Sequence, residues 1–178
     1  SGDPDGVGPE FARHIADGLG VPVSYVQFPA PGELADAVTE NVWDIGLIGA
    51  EPTRAEKIAF TAAYVEIEAT YLVPEGSPLN TIEDVDAEGV RIAVSGRSAY
   101  DLYLSRSLKH AELHRAQGLP GALELFMAEK MDALAGLRPA LTGDLDKVPG
   151  GRILDGQFTA VQQAVGTART KPEAAAYL

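Results

Sequence analysis

Three arginines in this sequence stand where a planar, permanently charged group could hold a ligand. Arg54, Arg97 and Arg138 each fall at the end of a strand-like apolar run. A guanidinium matches a carboxylate with two parallel N–H donors. Two of these side chains converging on one site would select a small organic anion; the opposite reading of Arg97 and Arg138 is as solvated surface groups. The turn Ser95-Gly96-Arg97-Ser98 adds to the first reading. It follows a buried-looking strand and opens a helix. Gly96 permits close backbone approach, Ser98 can cap the helix, and the free N–H groups of a helix start face an anion well. The same four residues also suit a plain strand-to-helix turn.

Other chemistries find little support. His110 and His114 are four apart, a spacing that on a helix gives two metal ligands on one face. The helical pattern ends near Lys109, however, and residues 111–116 read as a short strand, so no metal or other cofactor is expected. Gly6-Val7-Gly8 follows no strand and lacks the third glycine of a dinucleotide fingerprint. No Ser/His/Asp arrangement, Walker loop or paired-carboxylate motif is present. The chain has no cysteine, which excludes a disulfide scaffold and a thiolate metal site. Its net charge of −12, with no run of Lys or Arg, excludes nucleic acid as a partner and weakens a membrane-surface role. No apolar stretch is long enough for a membrane span, and the turn-like opening Ser1-Gly2-Asp3-Pro4-Asp5-Gly6 is unlike a signal peptide, as in a mature chain.

The elements that would position these residues can be read from periodicity. Phe11, Ile15 and Leu19 recur at helical spacing after Pro9. Residues 21–28 alternate as a strand, 31–41 return to helical spacing, and 43–49 form a short run buried on both faces, with Trp43 in strand packing. Strands follow at 69–73 and 90–94, then a helix over 98–108. A helix over 121–130 turns Leu123, Phe126 and Met127 inward and leads to a strand at 131–136. An extended stretch over 157–167 precedes a helix opened by Pro172. Alternating β and α elements with short loops imply parallel sheets flanked by helices, and the pattern occurs twice, as in two α/β lobes.

Three segments in this order resemble family 3 of the bacterial extracellular solute-binding proteins. The first is Asn41-Val42-Trp43-Asp44-Ile45-Gly46, followed by Pro52-Thr53-Arg54-Ala55-Glu56 and the stretch ending Phe60-Thr61-Ala62-Ala63-Tyr64. The second is Gly76-Ser77-Pro78-Leu79, then Ile82-Glu83-Asp84-Val85 and Gly89 through Ser98. The third runs from Ala122-Leu123-Glu124 to Met131-Asp132-Ala133-Leu134-Ala135-Gly136. The resemblance covers nearly the whole chain and implies a two-lobed type II periplasmic-binding fold, α/β in class. Each lobe would be a mostly parallel sheet flanked by helices, joined by two crossover strands. By analogy the first lobe is 1–66 plus 162–178, the second is 68–158, and the hinge strands lie near 64–70 and 157–163. The family begins with a strand, and ends with helices, that this sequence lacks.

The resemblance also implies the role: a periplasmic or extracellular receptor, lipid-anchored in a Gram-positive cell. It would be monomeric, close on a small-molecule ligand and hand it to an ABC transporter permease. Arg54 matches the arginine that grips a ligand carboxylate, Ser95 to Ser98 match the backbone-donor turn, and Tyr64 matches an aromatic that could equally be core. Two departures stand out. Glu51 occupies a position where the family offers Thr or Ser, and Leu137 replaces the aspartate that binds a ligand ammonium. Glu51 is then the one carboxylate expected in the cleft, leaving room for a cationic or hydroxyl-bearing ligand. The expected role is binding rather than catalysis. The alternatives are an enzyme similar to the cyclohexadienyl dehydratases, using Glu51 with a raised pKa, and the sensing domain of a membrane receptor.

Overall fold

The apolar runs condense into one curled, mixed sheet. The computed structural model describes residues 4–178, so the first three residues of the expected turn and first lobe lie outside the described residues. Strands β1 (Gly46–Ala50), β2 (Ile58–Phe60), β3 (Val65–Val73), β4 (Arg91–Ser95), β5 (Glu112–Ala116), β6 (Ala133–Leu137), β7 (Arg152–Ile153) and β8 (Thr159–Ala168) run in the order β1-β8-β3-β6-β4-β5, with β2 also on β8 and β7 on β3. Helices α1 (Val7–Leu19), α2 (Pro31–Asp36), α3 (Pro52–Ala55), α4 (Ala99–Ser107), α5 (Gly118–Ala128), α6 (Arg138–Asp144) and α7 (Pro172–Tyr177) complete the chain.

Two long strands organise everything else. β3 and β8 pair antiparallel from Val65 opposite Gln163 to Ala69 opposite Thr159. Beyond that segment β8 continues alongside β1 and β2, while β3 continues alongside β6 and β7. Each long strand therefore serves both ends of the sheet. Parallel pairing, expected at both ends, is confined to β4 with β5 and β6, because the ladders through the returning strands β3 and β8 must run antiparallel. Val85, Ile92, Val94, Tyr100 and Leu104 pack on one face of the β4 end, and Leu123, Phe126, Leu134 and Leu141 on the other. A smaller cluster of Val38, Trp43, Ile58 and Ala168 supports the β1 end. The Trp43 indole N–H donates to the Leu34 carbonyl at 3.0 Å, fixing the loop that leads into β1.

Three further expectations differ from the structure. Residues 21–28 form no strand. An alternating pattern becomes a strand only where a neighbour supplies backbone partners, and here Tyr25 is tied to α1 instead, donating to the Pro9 carbonyl and accepting from Arg13. In α1 the buried face is Ala12 and Ala16, whose small side chains allow close approach, whereas Phe11 and Leu19 are exposed and Phe11 stacks on Tyr64. In α5, Leu123 and Phe126 point inward but Met127 faces out.

Candidate functional site

A cavity of about 240 Å³ lies where the two ends of the sheet meet. Its floor is Val161 and Gln163 of β8. One wall is Phe28 to Pro31, Leu34, Leu47 to Gly49 and Arg54; the other is Ser98 to Tyr100 and Leu137. Arg54 reaches it because β1 ends at Ala50 and Pro52 starts the short α3 at once, capped by the Glu51 carboxylate on the Thr53 N–H at 3.1 Å. The arginine is buried, 6% exposed. It donates from Nη1 to the Gly49 carbonyl at 2.8 Å and from Nη2 across the cleft to the Arg97 carbonyl at 2.9 Å. Burial lowers its pKa; the nearby Glu51 charge opposes the shift and Arg97 adds to it.

The opposite wall is built by the turn before α4. Ser98 caps the helix by accepting from the Asp101 N–H at 3.1 Å. Asp101 in turn accepts from the Arg97 N–H at 2.7 Å and from Arg115 Nε at 2.9 Å. These bonds hold Arg97 in the left-handed region, φ 62°. Tyr100, on the first turn of α4, is 3% exposed, and its buried hydroxyl makes no well-formed hydrogen bond, although the Ser98 and Ser95 side chains stand close enough to act on it. Burial raises its pKa to about 12, with the neighbouring Ser98 and Ser95 hydroxyls opposing the shift.

The two ends touch directly around this cavity. Glu51 pairs with Arg106 of α4, and Arg97 pairs with Asp36 at 2.7 Å and donates to the Gly32 carbonyl at 3.1 Å. Close approach needs two glycines: a Cβ on Gly49 would stand 2.7 Å from Val161 Cγ1 and 3.2 Å from Ala99 Cβ, and one on Gly32 would stand 2.8 Å from Arg97 Cβ.

Of the residues singled out from sequence, Arg54 and Ser98 face each other across this cavity. Glu51 is a helix cap and an ion-pair partner, 5% exposed, and does not line the cavity. Ser95 is buried and does not line the cavity, and the Gly96 N–H is committed to the Ala116 carbonyl at 2.9 Å. Arg97 lines an outer recess with Asp36 and Lys57. Arg138 binds Glu68 and the Gly156 carbonyl, both at 2.5 Å, away from the cavity. Tyr64 lines an adjoining opening of about 560 Å³, which shares Leu47 and Gln163 with the first, and burial raises its pKa. Sequence reasoning missed Tyr100, Gln163 and the Phe28 to Pro31 loop. Only the position of Tyr100, two residues beyond the capping serine, was a signal. His110 lies in the loop after α4 and His114 in β5, so they share no helix face.

The chain belongs to the bacterial extracellular solute-binding proteins, family 3, whose model matches residues 1–174. Solved structures of type II periplasmic-binding proteins are similar in fold. Holo ArgBP from T. maritima superposes with a TM-score of 0.78 at 19% identity, covering 94% of this chain and 74% of that one. A putative ABC transporter binding component from Wolinella succinogenes, complexed with lysine, gives 0.78 at 18% identity over 94% and 74%. An ancestral amino acid-binding protein, a precursor of cyclohexadienyl dehydratase, gives 0.76 at 20% identity over the same shares. No curated protein sequence matches the chain.

Proposed function

We propose that this chain is an extracytoplasmic receptor that captures a small polar solute, an organic anion or amino-acid-like compound, for import by an ABC transporter. One lobe is 1–66 with 162–178 and the other 68–158, hinged at 64–70 and 157–163, the region of the β3–β8 ladder. The observation that carries this reading is a cavity between the two ends of the sheet, floored by β8 and walled by a buried arginine. The solute bridges the lobes and stabilises their closed arrangement. Holo ArgBP, the lysine-complexed binding component and the family's role support a small solute, a permease partner and a periplasmic or extracellular location. The receptor acts as a monomer.

A dehydratase activity is not favoured. Glu51 is engaged with Arg106 and the α3 N-terminus, and the cavity wall has no carboxylate among the described residues. A thermal-shift screen of amino acids, small carboxylates, phosphonates, polyamines and prephenate tests the proposal. A ligand present at one hundred times its dissociation constant adds about 2.7 kcal/mol, which in a chain of this size raises Tm by roughly 5–10 °C. No shift with any of them refutes capture of such a solute, and turnover of prephenate refutes the binding-only role.

A further inference from the structure

The two ends of the sheet share backbone pairing only along the β3–β8 ladder. Two of the three apolar clusters gather at the β4 end and the third at the β1 end, so no such cluster spans the cleft among the described residues. Away from the ladder, the hydrogen bonds and ion pairs between the ends all come from three arginines. Arg54 reaches the Arg97 carbonyl, Arg97 reaches Asp36 and the Gly32 carbonyl, and Arg106 reaches Glu51. Units joined by polar contacts rather than by a large apolar interface move relative to one another. The Glu51–Arg106 pair differs from an ordinary surface pair. Its carboxylate is 4% exposed, while Arg106 is half-exposed. Each partner is also fixed on its own side. Glu51 is held by the Thr53 N–H at 3.1 Å. Arg106 donates to the Leu102 carbonyl of its own helix at 2.9 Å, and its guanidinium lies 5.3 Å from the Tyr103 ring centroid. Little side-chain freedom is therefore lost when they meet. Asp36 and Arg97 are both largely exposed, so their pair is screened and weak. None of these four side chains lines the cavity.

Resting on the receptor reading above, we propose that Glu51 and Arg106 form a latch that holds the two ends closed around the cavity even without solute, with Asp36–Arg97 as a weaker assistant. When the ends part, both partners return to water, so breaking the pair disfavours the closed arrangement and not the fold of either end. Loss of Arg106 shuts the Glu51 carboxylate away from water with only the Thr53 N–H and the neighbouring Arg54 charge as support. That penalty falls on the closed arrangement alone. Glu51 and Arg106 are positioning residues. They set the fraction of chains that stand closed, and through it the affinity for any solute, without choosing among solutes.

The chain has no cysteine, so Glu40→Cys at the β1 end and Glu124→Cys at the β4 end, both exposed, take a pair of fluorophores cleanly. Single-molecule energy transfer between them, without solute, reads the ratio of closed to open chains. The expected result is a parent that stands mostly closed. Arg106→Gln lowers the ratio at least about tenfold, the weight of one charged hydrogen bond. Asp36→Asn lowers it less than about fivefold, as an exposed pair should. Arg106→Lys keeps the charge and recovers part of the loss, and it also serves where the glutamine variant fails to fold. In the thermal-shift panel, Arg106→Gln leaves the order of the compounds unchanged. Equal ratios in the parent and the Arg106 variants, a parent that stands mostly open, or a reordered panel overturns the latch and leaves the receptor reading standing. A latch that opens as expected beside a panel in which no compound shifts Tm overturns the receptor reading alone.

Discussion

Replacing Asp101 by alanine isolates the device that holds one wall of the site. Its carboxylate is 3% exposed and accepts from the Arg97 N–H at 2.7 Å, from Arg115 Nε at 2.9 Å and from Ser105 Oγ at 3.4 Å. The bond to the Arg97 N–H is charge-assisted and stabilises by about 1.5–3 kcal/mol. The Arg115 side chain is 47% exposed and can return to water, so its share is at most about 1 kcal/mol. The sum is about 2–4 kcal/mol, or roughly 5–15 °C in Tm for a chain of this length. Asp101→Asn keeps an acceptor and loses less than half of that. Urea denaturation of both variants beside Arg115→Ala separates the contributions. If Asp101→Ala costs no more than Arg115→Ala, the carboxylate does not hold the turn. Because the Arg97 carbonyl receives Arg54 Nη2, a loosened turn also reduces solute affinity.

Two further predictions follow from contacts elsewhere. Gly49→Ala overpacks the cleft at Val161 and Ala99 and costs about 1–3 kcal/mol; Val161→Ala in the same chain recovers most of it, and denaturation of the single and double variants checks this. Asp86 accepts from the N–H groups of Lys109, His110 and Ala111. Burial raises its pKa, but these bonds together with His110 outweigh burial and hold it below the ordinary value. Its stabilising effect is therefore complete above the unfolded carboxylate pKa of about 4 and fades as pH falls through the lower folded value. Asp86→Asn should lose about 1–2 kcal/mol at neutral pH and converge on the parent chain once pH falls below the folded value; a difference independent of pH contradicts this.

Much of the positioning framework was legible because it rests on local chemistry. Ser98 reads as a cap before a helix, Pro52 as a helix start after a buried run, and Arg54 as the residue those two features present. What was not legible depends on long-range packing. Locally Tyr100 differs from Tyr103 only in lying two residues beyond the capping serine, and packing decides which of them lines the wall. Gln163 reaches the cavity because β3 and β8 cross there. Glu51 reads as a cleft carboxylate because its partner Arg106 is distant in sequence and invisible to local reasoning. The 21–28 run shows the same limit: its alternation is real, but a strand also needs a ladder.

The central claim is that Arg54 binds a solute between the two ends of the sheet. Titration calorimetry of the parent chain and of Arg54→Ala, with whichever small carboxylate stabilises the parent most, tests it directly. The account predicts that binding weakens at least about a hundredfold, as expected when a buried charged partner is removed, while circular dichroism shows the variant still folded. A folded Arg54→Ala chain with the parent's affinity would contradict it.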